Sequence, residues 1–235
     1  MGLPIDLYHQ MLDEYHNVPD IVIIGGGPSL KNFQLNQIES NNNQLIISCN
    51  QSIFQIPHAQ IAHHSDHDWW QEFSEAMKEI HEPLISGCGL GRKLKYDATR
   101  VLELKHLNAT NLHQFLHDQR LVCGNNAGLQ ALSMAHLFLP KRIWLIGFDF
   151  QYIDQESHGY IKNKILPAHH YEKMWQFFLK DFYFFEKLKT SQWSSAFGQQ
   201  AKPEIFNLNA QSKLQLYPTP NSLPDFLRKA LISKS

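Results

Sequence analysis

Three consecutive glycines follow a wholly apolar, β-branched run in Ile21-Val22-Ile23-Ile24-Gly25-Gly26-Gly27-Pro28-Ser29-Leu30. A loop without Cβ atoms lets the main chain approach a ligand closely. A helix starting near Leu30, capped by Ser29, would point unpaired N–H groups and a partial positive charge at the same spot, which suits a phosphate. The spacing is neither the G-x-G-x-x-G of dinucleotide folds nor the G-K-[ST] of P-loops. The competing reading is a tight, ligand-free turn. Three glycines in a row lose much chain entropy on folding, so the ligand reading is the one that accounts for them.

Other candidate groups fall where strands should end. Asn50-Gln51 closes a second apolar run, Asp66 follows a third extended piece, and Gly147-Phe148-Asp149 ends a fourth. The amide of Asn50 can donate to and accept from a base or ribose edge. Cys123-Gly124-Asn125-Asn126-Ala127-Gly128 puts small and amide residues before a helix, with Asn126 as its cap, and makes a second anion-friendly N-terminus. His158, in a polar loop after Asp149, has the titration range of a general base, and Asp149 is its catalytic companion. His169-His170 is a weaker candidate for that base. His64, Asp66 and Asp68 alternate along one face and invite a metal reading, although fourteen histidines make chance clusters common. In each case a turn, a cap or an exposed loop is the plainer alternative.

The elements that must position these groups follow from periodicity. A short helix is expected over 4–17, then strands at Ile21–Ile24, Leu45–Cys49 and Ala59–His63. A helix over about 68–80, a strand at Pro83–Ser86 and a glycine-rich turn at Gly87–Gly91 follow, and 92–122 is ambiguous. A helix from Asn126 to Leu139 stops at Pro140, and Arg142–Gly147 is a further strand. An aromatic helix spans 170–190, with Trp175, Phe178, Phe182 and Phe185 near one face. A stripe of this kind reads as core or interface rather than a stacking platform. A last strand at Ile205–Leu208 precedes a short helix near 223–232. Strands alternating with helices imply an α/β, Rossmann-like, mostly parallel sheet with helices on both faces. One domain is expected over 1–235, with the segment at about 151–190 forming part of a lid or interface.

Composition narrows the class. The chain has 235 residues, 43% hydrophobic and 18% charged, with a formal net charge of −1. That profile fits a globular core and gives no global charge for nucleic acid. Cys49, Cys88 and Cys123 are too few and too scattered for a disulfide framework or a zinc ribbon. No signal peptide and no membrane-spanning run is read, so a cytoplasmic protein is expected. The aromatic helix offers a surface for a homo-oligomer or an interfacial contact.

The ordered set G-G-G-P-S-L, I-S-C-N-Q, G-N-N-A-G-L-Q-A-L and I-W-L-I-G-F-D-F resembles the bacterial sialyltransferase-like superfamily. That group includes the sialyltransferases of lipo-oligosaccharide synthesis and the central domain of motility accessory factors. The 6-hydroxymethylpterin diphosphokinases share its opening motif and kind of fold. Small phage and prophage members look most similar, since D-x-x-W-W follows their third strand as Asp66–Trp70 does here. The resemblance covers roughly 20–220. It implies a nucleotide bound across the strand ends, with Gly25, Gly27, Pro28, Ser29 and Asn50 on the CMP part of a donor. Gly26, Gln51, Asp66, Asn125, Asn126 and Gly147 belong to the same neighbourhood. The catalytic histidine of those sialyltransferases lies in S-H-Y-I-G-H. Here the stretch is Ser157-His158-Gly159-Tyr160-Ile161-Lys162, whose one histidine aligns with the first of the family's two, while the family's base is the second.

Three functions are then open. A glycosyltransferase using a nucleotide-activated, CMP-type sugar would hold the donor phosphate at Gly25–Ser29, use His158 as base and require no cofactor. A 6-hydroxymethylpterin diphosphokinase-like enzyme would need Mg, with Asp66 and Asp149 as ligand candidates. A phage accessory protein would bind a nucleotide without catalysis. The expected partner is a nucleotide or nucleotide-sugar, with an acceptor that sequence does not specify.

Overall fold

The computed structural model describes residues 3–39, 43–81, 83–89, 96–107, 111–160 and 167–232. In chain order the elements are α1 (Pro4–Glu14), β1 (Asp20–Ile24), β2 (Gln44–Cys49), β3 (Ile61–His64), α2 (His67–Phe73), β4 (Leu84–Gly87), β5 (Val101–Glu103), β6 (Lys105–Leu107), α3 (His113–His117), β7 (Leu121–Cys123), α4 (Ala127–Ala135), β8 (Arg142–Ile146), α5 (Ala168–Phe197), β9 (Glu204–Asn207) and α6 (Asp225–Arg228). The main sheet has seven strands in the order β5-β4-β3-β2-β1-β8-β9, all parallel. A two-stranded parallel ribbon, β6-β7, stands apart.

The central strands read as unbroken apolar runs because both of their faces are covered. Ile21, Ile23, Leu45, Ile47, Ile143 and Leu145 face a core shared with α1, α4 and α5. Their alternates Val22, Ile24, Ile46, Trp144 and Ile146 face a second core with Leu30, Trp69 and Leu227. A slip of one residue would exchange the two faces. Asp20, buried at the start of β1, helps hold the register. Its carboxylate accepts from Arg142 Nε and Nη2, at 2.8 and 2.9 Å, and from Trp144 Nε1 at 2.7 Å, both on the adjacent β8. Such forked, charge-assisted bonds fix geometry as well as adding energy.

Several boundaries differ from the sequence expectations. The glycine loop leads into a single 3-10 turn, Pro28–Asn32, not an α-helix, and Ser29 does not cap it. Its amide and hydroxyl go to Asp149 instead. The helix expected over 68–80 breaks into α2 and a 3-10 turn at Ala76–Glu79. The aromatic helix is longer, thirty residues, and the last helix shorter, four. The ambiguous stretch 92–122 supplies β5, β6, α3 and β7. Part of the expected turn at Gly87–Gly91, and the residues Ile161 and Lys162, lie outside the described residues.

Three buried histidines make stability pH-dependent. Burial lowers His63 to about 4, against an opposing bond from Gln130. Burial, then the neighbouring His63, lowers His64 to about 3. Burial, then Lys189, lowers His136 to about 3. All three are neutral in the folded chain and take up protons on unfolding. The stability involved is complete above the unfolded value near 6.5 and drains as pH falls from there toward about 4 for His63 and about 3 for His64 and His136. Each group contributes a slope of about 1.4 kcal/mol per pH unit in that window. Urea melts across it should show His63→Gln flattening the slope by about one proton. An unchanged slope would mean that His63 is protonated in the fold.

Candidate active-site cleft

The chain runs from β1 outward through β5 on one side, then returns to β8 and β9 on the other. Strand order therefore reverses at β1, and ligands of open parallel sheets bind beyond the carboxyl ends at such a reversal. A cleft lies there, with about 620 Å³ of space that includes open solvent. Its floor is Gly25, Gly26 and Gly27 after β1, Cys49 at the end of β2 with Asn50 after it, and Gly147–Phe150 after β8. Asn126, Ala127 and Gly128 at the start of α4 close one side. Ser157, His158 and Tyr160 form the rim, with Trp175 and Phe178 of α5.

The glycine loop is close because it is bonded to β8. Gly25 N donates to Ile146 O and Gly27 N to Gly147 O, both at 2.8 Å. A Cβ on Gly27 would fall 2.8 Å from Gly147 O and against the Asp149 carboxylate. Gly147 itself has φ of 73°, a conformation that favours glycine. Asp149, 1% exposed, completes the clasp: Oδ2 accepts from Ser29 N, and Oδ1 from Ser29 Oγ and Asn209 Nδ2, each at 2.7 Å. The expectation of a row of bare amides in this loop is thus corrected. Gly25, Gly27 and Ser29 have donated theirs to the protein, and the short 3-10 turn behind them carries little dipole.

The open donors are across the cleft. Asn126 caps α4 by accepting from Leu129 N at 2.9 Å. Its other amide atom, Nδ2, is buried without a partner, and so is Oδ1 of Asn50. Asn50 has φ of 52°, a left-handed conformation that asparagine tolerates better than most residues and that here follows directly on β2. Asn50 and Asn126 thus both line the cleft beside the first turn of α4, and each keeps one buried amide atom without a partner. Buried polar groups without partners are costly, so a polar ligand that satisfies both is the physical expectation for this pair.

At the rim, His158 Nδ1 lies 2.8 Å from Ser157 Oγ. Its ring packs edge-on to Tyr171 at 5.5 Å, and Tyr171 stacks on Trp175. Tyr160 lies over Gly26, where a Cβ would fall 2.7 Å from its hydroxyl. Burial, with Cys49 next, pushes that hydroxyl well above its ordinary range, so it stays protonated.

Eight of the residues picked from sequence thus meet in one cleft: Gly25, Gly26, Gly27, Asn50, Asn126, Gly147, Asp149 and His158. Pro28 and Ser29 are buried behind its floor. Gln51, Asp66 and Asn125 do not line it. Asp66 caps α2, accepting from Asp68 N and Trp69 N. Asn125 ties its loop to α5 through Asp181, at 2.7 Å from Nδ2. The metal reading of His64, Asp66 and Asp68 gives way as well. His64 is buried and stacked on Trp70 at 4.4 Å, Asp66 is a cap, and the described residues hold no group of three candidate ligands. Nor do Asp66 and Asp149 fit a magnesium pair, since one is a helix cap outside the cleft and the other is filled by three donors. Sequence reasoning missed Tyr160, Trp175 and Phe178. For Trp175 and Phe178 the signal was the aromatic spacing of α5, which is equally that of a core helix, and for Tyr160 it was its place two residues after His158.

Comparison with known proteins agrees with this architecture. The sialyltransferase CST-II, solved in complex with a trisaccharide acceptor and CMP, superposes with a TM-score of 0.50 at 14% identity, covering 88% of this chain and 87% of that one. CstII from Campylobacter jejuni in complex with cytidine-5'-monophosphate gives 0.49 at 15% identity over 93% and 95%. The MAf glycosyltransferase from Magnetospirillum magneticum AMB-1 gives 0.46 at 11% identity, over 95% of this chain and 39% of that one. At such identities the likeness to CST-II is one of fold, a Rossmann-like α/β sheet. Among curated proteins none matches. A family model does match, over residues 5–155, which takes in the glycine loop, Asn50, Asn126 and Asp149, and the chain belongs to the 6-hydroxymethylpterin diphosphokinase MptE-like family.

Proposed function

We propose that this protein is a nucleotide-sugar-dependent glycosyltransferase whose cleft holds a CMP-type donor. The observation that carries the reading is the convergence on one cleft of the orphaned Asn126 Nδ2, the orphaned Asn50 Oδ1 and the first-turn amides of α4. A nucleoside monophosphate offers an acceptor-rich phosphate for the helix N-terminus and Asn126, and hydroxyl or amino donors for Asn50. No Lys or Arg is among the described lining residues. That donor set suits one phosphate held by neutral N–H groups better than a triphosphate. CMP bound in the sialyltransferase of the same fold fits this choice.

The chemistry needs one proton transfer. With Nδ1–H donating to Ser157 Oγ, His158 takes the acceptor hydroxyl's proton at Nε2. The acceptor oxygen then bonds to the anomeric carbon, and the bond from that carbon to the phosphate oxygen breaks, releasing CMP. Asp149 positions the glycine loop and takes no part in the transfer.

The family match favours a second reading, diphosphoryl transfer from ATP to a pterin-like hydroxyl. Such transfer needs magnesium, and the two proposed carboxylates are already engaged. Purified protein incubated with CMP-, UDP- and GDP-sugars in the presence of a chelator, and with ATP and magnesium, separates the two. Release of CMP under chelation is expected. Release of AMP only, dependent on magnesium and a pterin, would replace the first reading by the second.

A further inference from the structure

The outward side of α5 carries a pattern that no function in the cleft requires. Lys173, Phe177, Lys180, Phe184 and Lys187 are spaced 4, 3, 4 and 3 residues apart and share one helix face. All five are exposed, Phe177 by 54% and Phe184 by 52%. The stripe runs about 21 Å along the helix. None of the three lysines has an ion pair among the described residues. The acids between its ends turn away: Asp181 accepts from Asn125, and Glu186 pairs with Lys189 at 2.6 Å. Glu172 lies about 100° round the helix from Lys173. The result is a straight ridge of alternating cations and rings with no carboxylate on it.

We propose that this ridge docks the protein on an anionic lipid surface, with α5 lying flat along it. Lysine stems cover apolar surface while their ammonium groups reach lipid phosphates, and phenylalanine rings settle at the headgroup–acyl boundary. Interleaving both on one ridge suits that boundary. A second copy of the chain is a poorer occupant, because it would bring six lysines and no carboxylate into one interface. The helix lies on the surface and does not cross it, since no helix of the described residues is long and apolar enough to do so. Trp175 and Phe178, on the same helix, line the cleft, so docking would hold the cleft near the lipid. The inference does not depend on which donor the cleft takes.

Co-sedimentation of the full chain with vesicles tests it. The wild type should pellet with equimolar phosphatidylcholine and phosphatidylglycerol at low salt and not with phosphatidylcholine alone, and binding should weaken as salt rises. The triple variant Lys173→Glu, Lys180→Glu, Lys187→Glu and the double variant Phe177→Ala, Phe184→Ala should each lose binding roughly ten-fold or more. Lys→Arg at the three positions should keep it. Equal melting temperatures would show that the variants fold. Three outcomes overturn the proposal: equal binding to both vesicles, binding unchanged in the Lys→Glu variant, or a solution dimer that the Phe→Ala variant abolishes. Tighter retention on single-stranded DNA than on the anionic vesicles, lost with the same lysines, would do so as well.

Discussion

Asp149→Ala unfolds at a urea concentration well below that of the wild type and loses about 3–5 kcal/mol of stability. The size follows from what the carboxylate holds. Three donors at 2.7 Å, two of them from Ser29 and one from Asn209, lose their acceptor inside the protein. Each unsatisfied buried donor costs about 1–3 kcal/mol, and they do not add fully. The chain makes this clasp across 120 residues, so its loss unties Ser29, at the end of the glycine loop, from the segment after β8 and weakens nucleotide binding. Asp149→Asn should cost less than Ala but still destabilise, because its NH2 group must face a donor on one side or the other. A melt in urea and a thermal scan with and without CMP check both. If Asp149→Ala kept wild-type stability and lost only turnover, Asp149 would be a catalytic group and the clasp would be incidental.

His158→Ala should behave in the opposite way. Its turnover of a CMP-sugar falls by about 10²–10⁴, the usual contribution of a positioned general base. Stability changes little, because the ring sits at the rim and is half-buried. The effect should appear in kcat more than in donor KM, since the base acts on the acceptor. Ser157→Ala should lose less turnover than His158→Ala, because Ser157 Oγ, 2.8 Å from Nδ1, holds the ring in place without taking the proton itself. Full turnover in His158→Ala would remove the base from this account. Full nucleotide binding with no turnover in the wild type would leave a binding protein.

The sheet was legible because its strands are buried on both faces, and Ile21–Ile24, Leu45–Cys49 and Arg142–Ile146 show this as apolar runs of β-branched and large residues. The reversal at β1 follows from where the strands lie, and it places the glycine loop at the cleft. The loop's bonding was not legible. A run of glycines announces a close approach, but not that the approaching partner is β8 of the same chain, through Gly147 O. Asp66 and Asp149 look alike in sequence, each a carboxylate just past a strand. One caps the helix that starts at the next residue, accepting from Asp68 N two residues on, a local contact. The other reaches Ser29 and Asn209, and contacts at such separation leave no local pattern. Asn126 was legible as a cap, while the significance of its second amide atom needed the geometry. Trp175 and Phe178 could not be told from core residues by spacing alone, because a helix wall of a cleft and a helix wall of a core have the same period.

The measurement that bears most directly on the central claim is a calorimetric titration of CMP into the protein in the presence of a chelator, repeated with Asn126→Ala and Asn50→Ala. The account predicts saturable binding without metal, weakened roughly ten-fold or more in each variant, since each removes a buried amide that the nucleotide satisfies. Absence of binding by the wild type, or binding that both variants retain unchanged, would contradict it.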